Sequence, residues 1–112
     1  MENIIQQTTN RNDAKIEKII DRVLRQVFGE EATHLIYRHL ESNYSLKKEE
    51  VADRIEIFAA GLEDFLRSGA YVIEQKILGD IYSSYGLLRR IELERERDEF
   101  DFVSQIKSLR KT

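Results

Sequence analysis

The residues best suited to bind a metal are the two histidines, His34 and His39, and a nearby glutamate, Glu31. Glu31 and His34 have the Glu-x-x-His spacing of carboxylate-bridged di-iron bundles, which use this motif twice. The chain contains it once, so a symmetric dimer would have to supply the second copy. His34 and His39 point about 140° apart on a helix and cannot share a metal. We therefore predict no metal ligands and no cofactor.

Acid–base or nucleophilic catalysis would need a carboxylate, histidine or serine in a pocket that shifts its pKa. Ser68, Ser83 and Ser84 have no histidine in a recognisable catalytic arrangement, and the chain has no cysteine. Most acidic residues occur in runs such as 49–50 and 94–99, which are typical of solvated helix faces. The sequence therefore predicts no catalytic residues, and we expect a protein that is not an enzyme.

The segment LRSGAYVI, residues 66–73, has the small residues of a ligand-binding loop. A phosphate-binding loop needs several glycines, a GK[ST] signature and a preceding strand, whereas this segment has one glycine between two helical patterns. Backbone amides at the start of the following helix could still attract an anion. We interpret the segment as a helix corner, with Gly69 in the left-handed conformation that ends the helix before it.

Nucleic-acid binding usually requires a basic excess or a basic face. The chain has 18 Lys and Arg against 21 Asp and Glu, a net charge of −3. A helix-turn-helix over residues 49–69 would place Glu56 at the turn glycine and direct Glu63 and Asp64 at phosphates. Basic residues do occur in the first helix and at the C-terminus: Lys15, Lys18, Arg22, Arg25, Lys107, Arg110 and Lys111. Nucleic acid is therefore an alternative rather than the expected partner.

The elements that position these residues are expected to be helices. The 112 residues include no proline, and apolar residues recur three and four apart after residue 12. We predict an all-α fold, a compact bundle of four to five helices with a long charged C-terminal helix. Residues 1–11 are assigned to a flexible tail and 12–86 to a helical core domain. Residues 87–112 are assigned to the charged helix, which packs on the core or on a second subunit.

Membrane insertion is not expected, because no apolar run approaches the about 20 residues that a bilayer requires. The N-terminal residues, MENIIQQTTNRN, lack the basic start and apolar run of a signal peptide. With the absence of cysteine, these observations favour a cytoplasmic protein without membrane contact.

Ala59, Ala60 and Gly61 form a smooth patch of small side chains where a neighbouring helix can approach closely.

An interaction surface is predicted in the C-terminal segment, after the charged run ELERERDE of residues 92–99. Apolar residues with few sequence-local partners follow this run. They either fold back on the bundle or cover a second copy of the chain, and we favour the second copy, which predicts a homodimer. The candidate interface residues are Phe100, Phe102, Val103, Ile106 and Leu109.

Several short motifs within residues 14–88 carry a family resemblance. They are FGE (28–30), IYRHLE (36–41), YSLKKEEV (44–51), GLEDFLRSGAYVIE (61–74) and YGL (85–87). On these motifs the chain resembles a small archaeal helical domain family, the Nitrosopumilus output domain, type five. The resemblance implies a compact helical domain that occurs alone or fused to signalling modules, as an output or interaction part without catalytic residues.

Together, these observations predict a non-enzymatic archaeal helical interaction or output module. We expect it to self-associate as a homodimer, and it can dock a partner protein. The first alternative is a nucleic-acid-associated regulatory protein, and the second is a carboxylate metalloenzyme.

Overall fold

The computed structural model describes residues 11–96 and 101–110, and its regular structure is entirely helical. The elements are α1 (Arg11–Tyr44), a 3-10 turn (Lys48–Glu50), α2 (Ile55–Leu66), α3 (Gly69–Ser83), α4 (Leu87–Glu96) and α5 (Phe102–Arg110). The predicted all-α, compact bundle is confirmed for these residues, which have a radius of gyration of 14.1 Å. None of the described helices combines the length and apolar character needed to cross a membrane. The tail predicted at residues 1–11 lies outside the described part, except for Arg11.

A kink at Gly29 divides α1 into two segments, residues 11–28 and 30–44. Gly29 has φ 87° and ψ 172°, a backbone conformation that is accessible mainly to glycine. Thr33 Oγ1 donates a hydrogen bond to the Gly29 carbonyl at 2.7 Å and so satisfies one backbone acceptor at the kink. The backbone is therefore not helical at Gly29 itself, and one helical segment ends there while the next begins directly after it.

The core is built from one face of each α1 segment, from α2, α3 and α5, and from the link that follows α1. The link contributes Leu46, Val51 and Ala52, all at most 2% exposed. The largest fully buried side chains of the helices include Ile20, Leu24, Leu40, Phe58, Leu62, Ile77 and Tyr82. These are the positions that three-and-four spacing places on one face of each helix.

Helices α1 and α2 approach closely at Gly61. A Cβ atom at this position would clash with Leu40 Cδ2 and lie 3.3 Å from Tyr44 Cε2. The predicted close approach at the Ala59–Gly61 patch is therefore confirmed at Gly61. The glycine is required there for space, because its backbone lies within α2.

The predicted long C-terminal helix is wrong, because two short helices occupy this part of the chain. Helix α4 ends at Glu96, and α5 begins at Phe102, where the Asp101 carboxylate accepts a hydrogen bond from Ser104 N at 2.8 Å. Surface pairs on α4, such as Arg90 with Glu94 at 3.1 Å, each stabilise a helix by only about 0.2–0.5 kcal/mol. Burial of the apolar face of α5 is worth considerably more, so packing takes precedence over helix continuity.

The candidate interface residues lie mostly in the core of the chain itself. Phe102, Ile106 and Leu109 are 6%, 0% and 0% exposed, and Val103 packs against the core while partly buried. Phe100 lies outside the described residues. Folding back on the same chain buries these side chains without the entropic cost of association. An interface through them would require α5 to be exchanged between two chains.

The end of α5 is held by an ion-pair cluster that we call the Arg110 clamp, formed by Arg110, Asp13 and Asp53. The Arg110 guanidinium contacts Asp13 through two nitrogens, at 2.6 and 3.0 Å, and Asp53 at 3.0 Å. Asn12 Nδ2 also donates to the Arg110 carbonyl at 3.3 Å. The clamp joins the start of α1, the turn before α2 and the end of α5.

Beside the clamp, the Glu17 carboxylate accepts a hydrogen bond from Ala52 N at 3.0 Å. Burial is the main cause that raises the pKa of Glu17 to about 7, and the Ala52 hydrogen bond opposes it. Nearby Asp13 and Glu49 raise the pKa further. The clamp thus pairs one buried carboxylate, that of Asp13. No ion pair joins its neighbour Glu17 to another described residue, although the positive charge of Arg110 lowers the pKa of Glu17 a little.

Candidate docking groove

Two adjoining open cavities, of about 660 and 420 Å³, lie at the corner where α2 meets α3. Both are lined by Ala60, Glu63, Arg67 and Ser68. We call their combined lining the corner groove. Its residues are Tyr44, Ala59, Ala60, Glu63, Asp64, Arg67, Ser68, Ala70, Tyr71 and Glu74.

The corner itself is made by Arg67 and not by Gly69. Arg67 has φ 57° and ψ −130°, whereas α3 begins at Gly69 without a positive φ. Backbone hydrogen bonds from Arg67 N to the Glu63 carbonyl, 2.7 Å, and from Ala70 N to the Arg67 carbonyl, 3.0 Å, close the turn. The predicted helix corner is confirmed, but its left-handed residue was assigned wrongly. A non-glycine residue in such a conformation costs about 1–3 kcal/mol.

The charges of the groove are predominantly negative. Glu63, Asp64 and Glu74 line it together with one cation, Arg67. Across residues 11–96 and 101–110, neither Glu63 nor Glu74 is in an ion pair, and nor is Arg67. Burial raises the pKa of Glu74, and the negative charges of Glu63 and Asp101 add to this. The groove therefore attracts cations more strongly than it attracts the anion considered from the sequence.

His39 lies next to the groove, but both of its ring nitrogens are directed at protein groups. Asn43 Nδ2 lies 2.9 Å from His39 Nδ1 and donates to it, which leaves the proton of a neutral ring on Nε2. Nε2 is buried without a hydrogen-bond partner among the described residues, 3.7 Å from Asp64 Oδ2. The ring also packs edge-on against Phe65, with centroids 5.0 Å apart. This arrangement orients the groove wall and offers no free base to a substrate.

The residues considered for a metal do not converge in the structure. Glu31 and His34 are exposed on α1, and the nearest carboxylate to His34 Nε2 is that of Glu30, at 3.8 Å. His39 lies beside the groove and not with them. In the described part of the chain, no three His, Asp or Glu side chains are arranged to hold a metal ion.

Most basic residues considered for nucleic-acid contacts are neutralised by carboxylates. Arg25, for example, contacts both Asp21 at 2.8 Å and Glu30 at 2.6 Å. Similar pairs join Arg22 to Asp80, Lys107 to Glu56, and Arg110 to Asp13 and Asp53. Lys15 instead lies 4.4 Å from the centroid of the Tyr85 ring, and Lys111 lies outside the described residues. These pairs leave few of the predicted cations available to contact phosphates.

Sequence reasoning did not predict the groove. Its small residues, Ala59 and Ala60, indicate helix packing, and its acidic residues occur at positions that usually face solvent. Only the folded backbone brings Glu63 of α2 and Glu74 of α3 to the same cavity.

A scan against protein-family models, a search of curated proteins and a search of solved structures each found no match to this chain. The resemblance to the archaeal output domain therefore stays a prediction. What the corner groove can bind must be argued from its own shape and charge.

Proposed function

We propose that this protein is a non-enzymatic interaction module that docks a cationic, amphipathic segment of a partner protein in the corner groove. The observation that supports this most directly is an open groove with apolar and aromatic walls whose acidic side chains Glu63 and Glu74 lack ion-pair partners among the described residues. A groove of this composition suits a partner that supplies both apolar contacts and positive charge.

The apolar contacts would come from the floor and walls of the groove. Ala59 and Ala60 leave room for a side chain of the partner, and the rings of Tyr44 and Tyr71 border that space. Tyr71 is 66% exposed, and Phe65 beyond the groove is 43% exposed. Aromatic residues are enriched at protein interfaces because they bury a large area at a low cost in side-chain entropy.

The charge of the partner follows from Glu63 and Glu74. Burial and then the negative charge of Glu63 raise the pKa of Glu74, and a Lys or Arg of the partner in the groove would offset both effects. Such charge complementarity sets the specificity and association rate of a complex more than its affinity. The role of the groove would therefore be to select cationic segments and to reject acidic ones.

The two alternatives from the sequence have less support. A nucleic-acid-associated regulator would present phosphates to a groove of the same sign, while its arginines are paired with carboxylates. A carboxylate metalloenzyme would need more ligands than exposed Glu31 and His34. A signalling output role rests on the family resemblance alone and is proposed only as the setting in which docking would be used.

The docking proposal can be tested by NMR titration of the isotope-labelled chain. The probe is a helical peptide with Leu on one face and Lys on the other, and the control peptide has Glu in place of Lys. We expect the Lys peptide alone to shift the signals of Tyr44, Ala60 and Tyr71. Equal binding of both peptides, or shifts centred elsewhere, would refute the docking site.

A matched pair of variants tests the charge argument. The double substitution of Glu63→Gln with Glu74→Gln should weaken binding of the Lys peptide about tenfold, because two carboxylates that line the groove are removed. The control substitutions Glu41→Gln with Glu49→Gln change the net charge equally on exposed residues outside the groove. Equal weakening by both double variants would indicate non-specific attraction to the net charge.

A further inference from the structure

A second surface, on the 30–44 segment of α1, combines an exposed leucine with two opposite charges. Glu31, His34, Leu35 and Arg38 line an open cavity of about 410 Å³. Leu35 is 55% exposed, although its neighbour Ile36 is 2% exposed and belongs to the core. All four cavity-lining residues are spaced to lie along one face of the helix.

The charged side chains Glu31 and Arg38 of this face form no ion pairs with other described residues. Glu31 and Arg38 are seven positions apart, so they lie along the same face about 10 Å from each other and cannot pair on their own helix. His34 Nε2 lies 3.8 Å from the Glu30 carboxylate, which is itself paired with Arg25 at 2.6 Å.

The arrangement is self-complementary under a two-fold axis. The two-fold axis would be perpendicular to the helix, level with the midpoint between His34 and Leu35. Two copies of the segment then run antiparallel. Leu35 then meets Leu35 of the second copy, and Glu31 of each chain lies opposite Arg38 of the other. A cyclic dimer requires this reciprocity, in which one surface patch is complementary to itself.

We propose that this face is a homodimer interface, and that its partner is a second copy of the chain. The order of the residues favours a second copy over an unrelated partner: the opposite charges of Glu31 and Arg38 lie on either side of the axis at equal distances, and Leu35 lies close to the axis between them. The interface is separate from the corner groove and needs no movement of α5. It therefore differs from the C-terminal interface expected from the sequence, and it does not depend on the docking proposal.

Charge reversal on the full chain tests the pairing, with sedimentation velocity over a concentration series at low salt. Glu31→Arg places Arg opposite Arg38 in both ion pairs, and Arg38→Glu places Glu opposite Glu31. We expect each variant to dimerise about tenfold more weakly than the wild type. The double variant E31R/R38E exchanges the two charges and should recover dimerisation.

A mixture of the two single variants gives a sharper result. One chain then carries two arginines and the other two glutamates at this face, so the mixed dimer should form while each variant alone remains largely monomeric. Lys18→Glu is a matched control, because it changes the net charge as Arg38→Glu does, on an exposed residue outside the face. It should dimerise as the wild type does.

Three results would overturn the proposal. The first is a wild-type chain that stays monomeric up to millimolar concentration. The second is dimerisation that both single variants leave unchanged, which would place the interface elsewhere. The third is a mixture that associates no better than its components. Because the altered residues are exposed, unchanged circular dichroism spectra and thermal midpoints would confirm that each variant is folded.

Discussion

The Arg110 clamp and the corner groove contain similar residues but use their charges in opposite ways. In the clamp, a guanidinium is held by two carboxylates at 2.6–3.0 Å, and three parts of the chain are joined. In the groove, Arg67, Glu63 and Glu74 have no ion-pair partners among the described residues. The charges of the clamp join parts of the fold, whereas the charges of the groove, unpaired among the described residues, are the basis of the docking proposal.

The largest effect is expected from Ile106→Ala, which tests whether α5 is held mainly by its apolar face or by the clamp. Ile106 is fully buried, so the substitution should lower the free energy of unfolding by about 2–5 kcal/mol. Urea denaturation measures this loss, with exposed Ser108→Ala as the control. A negligible loss in stability together with a loss of dimer would instead favour the C-terminal interface expected from the sequence.

Arg110→Ala is expected to lower the free energy of unfolding by a smaller amount, about 1–3 kcal/mol. The substitution leaves Asp13, 6% exposed, without its cation, and the effect is moderated because Arg110 is partly exposed. The matched change in the groove is Arg67→Ala. It should alter the free energy of unfolding by less than about 0.5 kcal/mol. Equal losses for the two variants would remove the distinction between the clamp and the groove.

The pH dependence of the clamp region is expected to come from Glu17. Because its folded-state pKa, about 7, lies above the ordinary value of 4.5, the folded chain binds more protons than the unfolded chain between these values. Its contribution to stability is therefore present below pH 4.5 and is lost as the pH rises through about 7. Glu17→Gln should flatten this decline and raise the thermal midpoint at pH 8. An unchanged pH profile would refute this assignment.

The smallest effect is a gain in stability. Arg67→Gly relieves the positive-φ strain, partly offset by the greater freedom of glycine in the unfolded chain, for a net gain of about 0.5–1 kcal/mol. Arg67→Ala removes the guanidinium but keeps the strain, so the difference between the two variants isolates the backbone contribution. Equal stability of R67G and R67A would show that the conformation of residue 67 costs little.

The sequence predicted the helices wherever apolar spacing was regular, because burial of one helix face dominates their stability. It also located the close approach at Gly61. It failed after residue 87, where favourable charge spacing suggested one continuous helix. Phe102 and Ile106 are buried by packing on distant parts of the chain. Local residue spacing does not predict such tertiary contacts.

The corner groove was beyond sequence prediction for a related reason. The glycine at position 69 suggested a left-handed residue, but the chain places that conformation on Arg67. Nothing local to an arginine indicates a positive φ, because such a conformation is held by the packing of the two helices on either side. The shared cavity of Glu63 and Glu74 follows from this turn.

The missing side chain of Gly61 links the interior of the protein to its surface. Its nearest neighbours are Leu40, in the core, and the ring of Tyr44, which forms one wall of the corner groove. A single methyl group added there would clash first with Leu40 and would also crowd the ring of Tyr44. A substitution at this buried position would therefore disturb one wall of the proposed docking groove from the inside, while the outer surface stays unaltered.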